Sequence, residues 1–379
     1  MKKIKLFLLL TLLCAVALTG CKNSDTGKKT EKKTTDTPVE SAGALDYDTL
    51  SVKALELYAL ENDAHAAYRL GQIYDYGLMD ESQNYTESIK WYETAAKADY
   101  GKAHTALGYC YLNGCGVDRN YDTAKTYFTD AIKCGDPEGY VGLGRIYLEK
   151  EETENYHMAY LDFRNASAKE ALDGYYYMGY MYENGYGVSE NVQKAMLAYQ
   201  LVLLNASDAL EDKYAIDSAN TRLGILYATG KTGETDGKKA CEYFETAAGD
   251  GFALAQYYLG TMYLNGIGVD KDYEEAFLHL EDAANQDYAP ALCQIGYMYF
   301  NGMGVDPDYE QAVYYQKLAA AQGYAPAQVN LGFLYENGYG VEMNPNNALS
   351  YYLLAYDQGY EGAAEAVMRV MDQHLSERL

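Results

Sequence analysis

The stretch AQYYLGTMYLNGIGVDKDYEEAFLHLEDAANQDYAP, residues 255–290, decides the fold because its neighbours copy it. Its Leu259-Gly260 pair recurs as Ile295-Gly296 and Leu331-Gly332 toward the C-terminus. Toward the N-terminus it recurs as Leu223-Gly224, Met178-Gly179, Leu143-Gly144, Leu107-Gly108 and Leu70-Gly71. From the N-terminal end the Gly-to-Gly spacings are 37, 36, 35, 45, 36, 36 and 36 residues. A tyrosine stands three residues after the glycine in every copy: Tyr74, Tyr111, Tyr147, Tyr182, Tyr227, Tyr263, Tyr299 and Tyr335. A fixed period of this length marks a repeat array, in which each unit buries its apolar face only against its neighbours. Length then adds units rather than separate cores, so 379 residues do not imply several domains.

Within the quoted unit, Ala255, Leu259, Met262 and Tyr263 fall at helical spacing and predict a helix A. Asn265-Gly266-Ile267-Gly268 stops it, since Asn and Gly tolerate positive φ. Val269 can fold back onto the helix pair, and Asp270 or Asp272 can cap the next helix. Helix B carries Ala276, Leu280, Ala283 and Ala284 on one stripe and ends at the corner Asp287-Tyr288. Equivalent corners are Gly251-Phe252, Gly323-Tyr324 and Gly359-Tyr360. Small residues at fixed points let helix backbones approach, and the tyrosine after each signature glycine is expected to fill the adjacent hole. Residues 47–61 and 361–376 read as capping helices, which the ends of an array require.

The pattern A-x-A-x-x-x-L-G-x-x-Y-x-x-G-x-G-V-x-x-D-x-x-x-A-x-x-Y-Y-x-x-A-A-x-x-G-Y resembles the Sel1-like repeats, relatives of the tetratricopeptide repeats, over residues 64–360. Its loop recurs as Asn113 to Val117, Asn184 to Val188, Asn265 to Val269, Asn301 to Val305 and Asn337 to Val341. The resemblance implies an all-α fold: a right-handed α-solenoid superhelix of about eight antiparallel helix pairs. It implies a role in protein–protein interaction and complex assembly, without catalysis. Four units depart from the pattern. The first has a longer loop at Gly77-Leu78-Met79, and the third has Lys150 and Glu152 in place of glycines. The fourth holds an extended helix B or an insertion between Val202 and Ser218, and the fifth has a looser loop at Thr229 to Gly233.

Before the repeats, Lys2, Lys3 and Lys5 precede the apolar run Leu6–Leu18. Thirteen residues at about 1.5 Å each cannot cross a ~30 Å hydrocarbon core, so the run reads as a signal-peptide core. It ends in Leu18-Thr19-Gly20-Cys21, which resembles the lipobox of bacterial lipoproteins. That resemblance implies acylation of the Cys21 thiol, cleavage before it, and export with lipid anchoring at a membrane or the cell surface. The expected organisation is a signal peptide at 1–20, a lipidated disordered linker at 21–45, rich in Lys and Thr, and the solenoid at 46–379.

The net charge is -25, and residues 46–379 hold 22 basic against 51 acidic side chains. Neutralising phosphates needs the opposite sign, so nucleic-acid binding is disfavoured and a basic protein partner is favoured. The five histidines (His65, His104, His157, His279 and His374) include no i, i+4 pair, and no H-E-x-x-H occurs. No metal site is expected from them. The doublets Gly266-Ile267-Gly268 and Gly302-Met303-Gly304 follow helices and lack the remaining elements of a phosphate loop, so no cofactor is expected. No G-x-S-x-G or S-x-x-K occurs in the repeats, and no catalytic residue is assigned. Some secreted Sel1-repeat proteins are described as penicillin-binding or β-lactamase-like. That resemblance would need paired cysteines in each repeat, and Cys110, Cys115, Cys134, Cys241 and Cys293 do not recur at one position. No disulfide framework is expected. A glycan- or cell-wall-binding lipoprotein is the alternative function.

By analogy with tetratricopeptide-like superhelices, helix A lines the concave face. The residue after each signature glycine is taken to point there: Gln72, Tyr109, Arg145, Tyr180, Ile225, Thr261, Tyr297 and Phe333. Tyr109, Tyr180, Tyr297 and Phe333 are the candidate contacts to a protein or peptide partner, because aromatics give large area at low rotamer cost. Acidic neighbours such as Glu183 and Glu336 are expected to favour a basic partner.

Overall fold

A computed structural model describes residues 45–149, 153–207, 212–231 and 233–376. The expected signal peptide at 1–20, Cys21, the expected linker as far as residue 44, and Lys150 and Glu152 lie outside the described residues. Helix α1, Val52–Leu60, caps the array. The first four pairs are α2 Ala64–Tyr76 with α3 Tyr85–Ala96, α4 Gly101–Asn113 with α5 Tyr121–Lys133, α6 Glu138–Leu148 with α7 Thr153–Ser167, and α8 Leu172–Asn184 with α9 Val192–Asn205. The last four are α10 Lys213–Thr229 with α11 Gly237–Gly249, α12 Ala253–Asn265 with α13 Tyr273–Ala284, α14 Ala289–Asn301 with α15 Tyr309–Ala321, and α16 Ala325–Asn337 with α17 Pro345–Asp357. Helix α18, Ala363–Ser376, closes the stack. This is the all-α solenoid.

Local chemistry sets the helix boundaries. B helices start on a side-chain cap: Asn84, Asn120, Asn191, Asp236, Asp272, Asp308 and Asn344 each accept from one or two N–H groups of the first turn. Such a cap satisfies donors that a helix start leaves orphaned. In the quoted unit the cap is Asp272, not Asp270. Most A helices end on a left-handed glycine, as at Gly266 with φ 69°.

The signature glycine is a packing device. A Cβ on Gly224 would lie 2.5 Å from Cε1 of Phe244, the fully buried ring of its own B helix. Phe128, Phe163, Tyr199 and Tyr352 cover Gly108, Gly144, Gly179 and Gly332 in the same way. This corrects the expectation that the tyrosine three residues after the glycine fills the hole. That tyrosine lies one helix face away and pairs with the residue before the covering ring: Tyr227 with Tyr243 at 5.7 Å and Tyr335 with Tyr351 at 5.8 Å. The second loop glycine joins units. Gly340 has φ 66°, and a Cβ there would run into the Tyr309 carbonyl of the preceding unit.

The 45-residue spacing resolves into a modest lengthening of α9, a longer connection, and an α10 of 17 residues where α12 has 13. The added turn buries Asp217 beside Asp250, which also pairs with Lys213. Burial first, then the Asp250 charge, pushes the Asp217 carboxyl up from 3.8 to about 7, and it shares a hydrogen bond with Asp250. A carboxyl raised by folding makes the native state hold its proton longer than the unfolded chain does. Its contribution is therefore favourable at acid pH and is lost as pH rises from 3.8 to about 7. Asp217→Asn keeps a donor for Asp250 without the charge. In urea titrations the wild type is expected to lose stability relative to Asp217→Asn across that window. Parallel pH profiles would refute the assignment.

Candidate functional site

The A helices make the skip contacts between units: α4 touches α6, α6 touches α8, α8 touches α10, and α10 touches α12. In a curved stack the elements that approach across two positions lie on the inside, so the A helices form the inner face.

The four aromatic candidates fall in separate places on it. Tyr109 is half-buried, edge-on to Phe128 at 5.0 Å, with the Arg145 guanidinium 5.0 Å from its ring centre. Tyr180 is half-buried, 5.8 Å from Tyr186, which stacks on Tyr156 at 4.6 Å. Tyr297 and Phe333 are 45% and 42% exposed. Phe333 joins Phe300, Tyr309 and Tyr339 in one aromatic cluster with ring separations of 5.2–5.9 Å. The cluster combines the A and B helices of one unit with the A helix and loop of the next.

Glu183 and Glu336 do not face a partner. Glu183 is 2% exposed, and Arg222 of α10 donates to it through Nε at 2.9 Å and Nη2 at 2.5 Å, while the Tyr199 hydroxyl donates at 2.9 Å. Glu336 receives Arg369 at 2.9 and 2.8 Å and Tyr352 at 2.7 Å, and the Arg369 hydrogen bond holds its carboxyl below the usual range. Both charges are neutralised by an arginine two helices further on, which corrects the expectation that they attract a basic partner.

Desolvated carboxyls lie elsewhere on the inner face. Residues seven apart on a helix share a face. Glu138 thus shares a stripe with Arg145, and Asp173 with Tyr180. Burial pushes the Glu138 carboxyl well above its ordinary range, the Asp173, Asp136 and Asp212 charges add to that, and Lys102 opposes it. Burial raises Asp173 as well, against the pull of Arg145, and its Oδ1 is buried without a hydrogen-bond partner among the described residues. Desolvated carboxyls of this kind complement a cation brought in by a ligand. Sequence reading missed Glu138 and Asp173. The available signal was their seven-residue offset from Arg145 and Tyr180.

The G-x-G doublets serve the fold: Gly266 ends α12 and Gly268 packs on the Gly237 backbone. The five described cysteines are free, and burial pushes Cys241 and Cys293 up to about 11, which suits inert packing. No described helix is long and apolar enough to cross a membrane.

Seven segments, residues 64–100, 101–136, 172–197, 217–252, 253–288, 289–324 and 325–360, match the family model described as Sel1 repeat. The third unit escapes that match, yet it forms the same pair, with Gly144 against Phe163. The chain is 33% identical over 111 residues, 29% of its length, to an ERAD-associated E3 ubiquitin-protein ligase component of Arabidopsis thaliana. It is 31% identical over 184 residues, 46% of its length, to a chitin synthase regulator of Saccharomyces cerevisiae. These matches span 17% and 25% of the two relatives. Among solved structures it is similar to a protective antigen present in uropathogenic Escherichia coli strains displaying an SLR fold, with 26% identity and a TM-score of 0.53 over 86% of this chain and 68% of that one.

Proposed function

The chain belongs to the Sel1-repeat family, and from that premise we propose that it is an exported lipoprotein, anchored through Cys21, whose solenoid binds a protein partner on its inner face and carries out no catalysis itself. The relatives support the role by their names, one a component of an assembly and one a regulator of an enzyme. The observation that carries the reading is the pair of desolvated carboxyls, Glu138 and Asp173, set among Tyr109, Tyr177 and Arg145 on the inner face. A lysine or arginine of the partner would supply the missing charge there, and the exposed Tyr297 and Phe333 would add apolar area further along the groove. The linker after Cys21 would hold the solenoid off the bilayer.

The test uses the full chain in the producing cell's envelope. Fatty-acid labelling is expected in the wild type and absent in Cys21→Ala. The captured partner is expected to release as salt rises and to bind at least ~10-fold more weakly to Glu138→Gln/Asp173→Asn, since two charge-assisted contacts are worth over 1.4 kcal/mol together. Capture that ignores these substitutions, or salt-resistant sedimentation with cell wall alone, would sink the protein-partner reading and favour a glycan ligand stacked on the exposed rings.

A further inference from the structure

We propose that Asp99, His104 and Cys134 bind a zinc ion at the corner between the first and second units. The three side chains each present a ligand atom, and these atoms lie within 4.8 Å of one another. Asp99 sits in the corner after α3 with φ 56°, His104 in the opening turn of α4, and Cys134 at the C-cap of α5.

The same three positions recur with identical spacing in other units, where they do something else. Gly251, Gln256 and Gln286 stand 152 residues on from Asp99, His104 and Cys134. There the Gln286 Nε2 donates to Gln256 Oε1 at 2.8 Å and to the Gly251 carbonyl at 2.9 Å. Near the C-terminus the Gln358 Nε2 donates to Gln328 Oε1 at 2.8 Å in the same arrangement. An amide clamp thus ties the end of one B helix to its own A helix at this corner. In the second unit both amides are replaced, by an imidazole and a thiol, and a carboxylate is added. The His104 Nδ1 is buried and has no hydrogen-bond partner among the described residues. A buried ring nitrogen without a partner is costly unless something outside the chain satisfies it.

Thiolate, imidazole and carboxylate form a ligand set suited to zinc. Donors around a tetrahedral zinc lie about 3.5 Å apart, given metal–sulfur and metal–nitrogen lengths of about 2.3 and 2.0 Å, so small side-chain rotations close the site. The Cys134 proton leaves to solvent on binding. The thiolate and the Asp99 carboxylate then balance the ion's charge, and a water fills the fourth position. The metal would replace the amide clamp as the tie at this corner.

The test is a cobalt and zinc titration of the chelator-treated full chain in a Cys21→Ser background, which removes a competing thiol. One equivalent of cobalt is expected to produce a thiolate-to-metal charge-transfer band, and zinc to displace it and raise the melting temperature. Cys134→Ser is expected to abolish the band, His104→Ala to weaken binding, and Cys241→Ser to leave it unchanged. His104→Gln/Cys134→Gln installs the amide clamp of the other units. It is expected to keep the helical signal and melting temperature of the metal-loaded chain while binding no metal. Absence of the band in the parent chain, or a band that survives Cys134→Ser, overturns the proposal.

Discussion

Gly224→Ala is expected to destabilise the solenoid by about 1 kcal/mol net, although alanine is the better helix former. Gly224 lies inside α10, where intrinsic propensity favours alanine by roughly 1 kcal/mol. A negative net effect therefore requires a steric cost larger than that gain. The geometry supplies it: the new Cβ would stand 2.5 Å from the Phe244 ring, which is fully buried and has no room to retreat. Overpacking of this kind costs about 1–3 kcal/mol, occasionally more. The partner substitution makes the expectation specific. The next unit covers its signature glycine with Leu280 instead of an aromatic ring. Phe244→Leu alone is expected to destabilise by opening a cavity, yet it is expected to recover part of the Gly224→Ala loss when the two are combined. Because repeat arrays can unfold unit by unit, hydrogen exchange of α10 and α11 is the readout to set beside a urea titration. A Gly224→Ala chain as stable as wild type would show that the ring does not hold the pair together.

Arg222→Met is expected to cost about 3–5 kcal/mol, the largest effect of any single side chain considered, because it leaves the buried Glu183 carboxylate without its bidentate partner. The Tyr199 hydroxyl remains, but one neutral donor does not offset the loss of a guanidinium fork. The damage is expected at the junction of the fourth and fifth units, since Arg222 reaches from α10 back to α8. Exchange is expected to speed up in α8–α11 while α14–α17 stay protected. Glu183→Gln/Arg222→Met removes both charges and is expected to regain most of the loss, because the cost arises from an unpaired charge and not from the pair's absence. Equal losses in the single and double variants would contradict this.

Much of the solenoid is legible in the chain because its contacts are local. The caps at Asp272 and Asp308, the left-handed Gly266 and the apolar stripe through Leu280 lie within about one period of what they act on. The period therefore carries them, and one unit read well is most units read. The signature glycine was equally visible, but the chain did not say which ring would cover it. Tyr227 and Phe244 are both aromatic and both near, and only the crossing of the A and B helices puts Phe244 over Gly224.

What the sequence alone determined is the array itself, its eight-fold recurrence, its acidic balance, and the apolar run and Cys21 that precede it. What the tertiary structure decided is which polar groups meet. Glu183 and Arg222 are 39 residues apart, and Glu138 and Asp173 are 35 apart. Asp99, His104 and Cys134 are separated by 5 and 30 residues. None of these spacings matches a motif, because a motif records neighbours along one helix. These groups are brought together by the stacking register of successive units, and that register is set by backbone approach at small residues such as Gly340 against Tyr309. Charge count gave the sign of the surface. The stack settled that Glu183 and Glu336 are neutralised from within while Glu138 and Asp173 lie desolvated on the inner face.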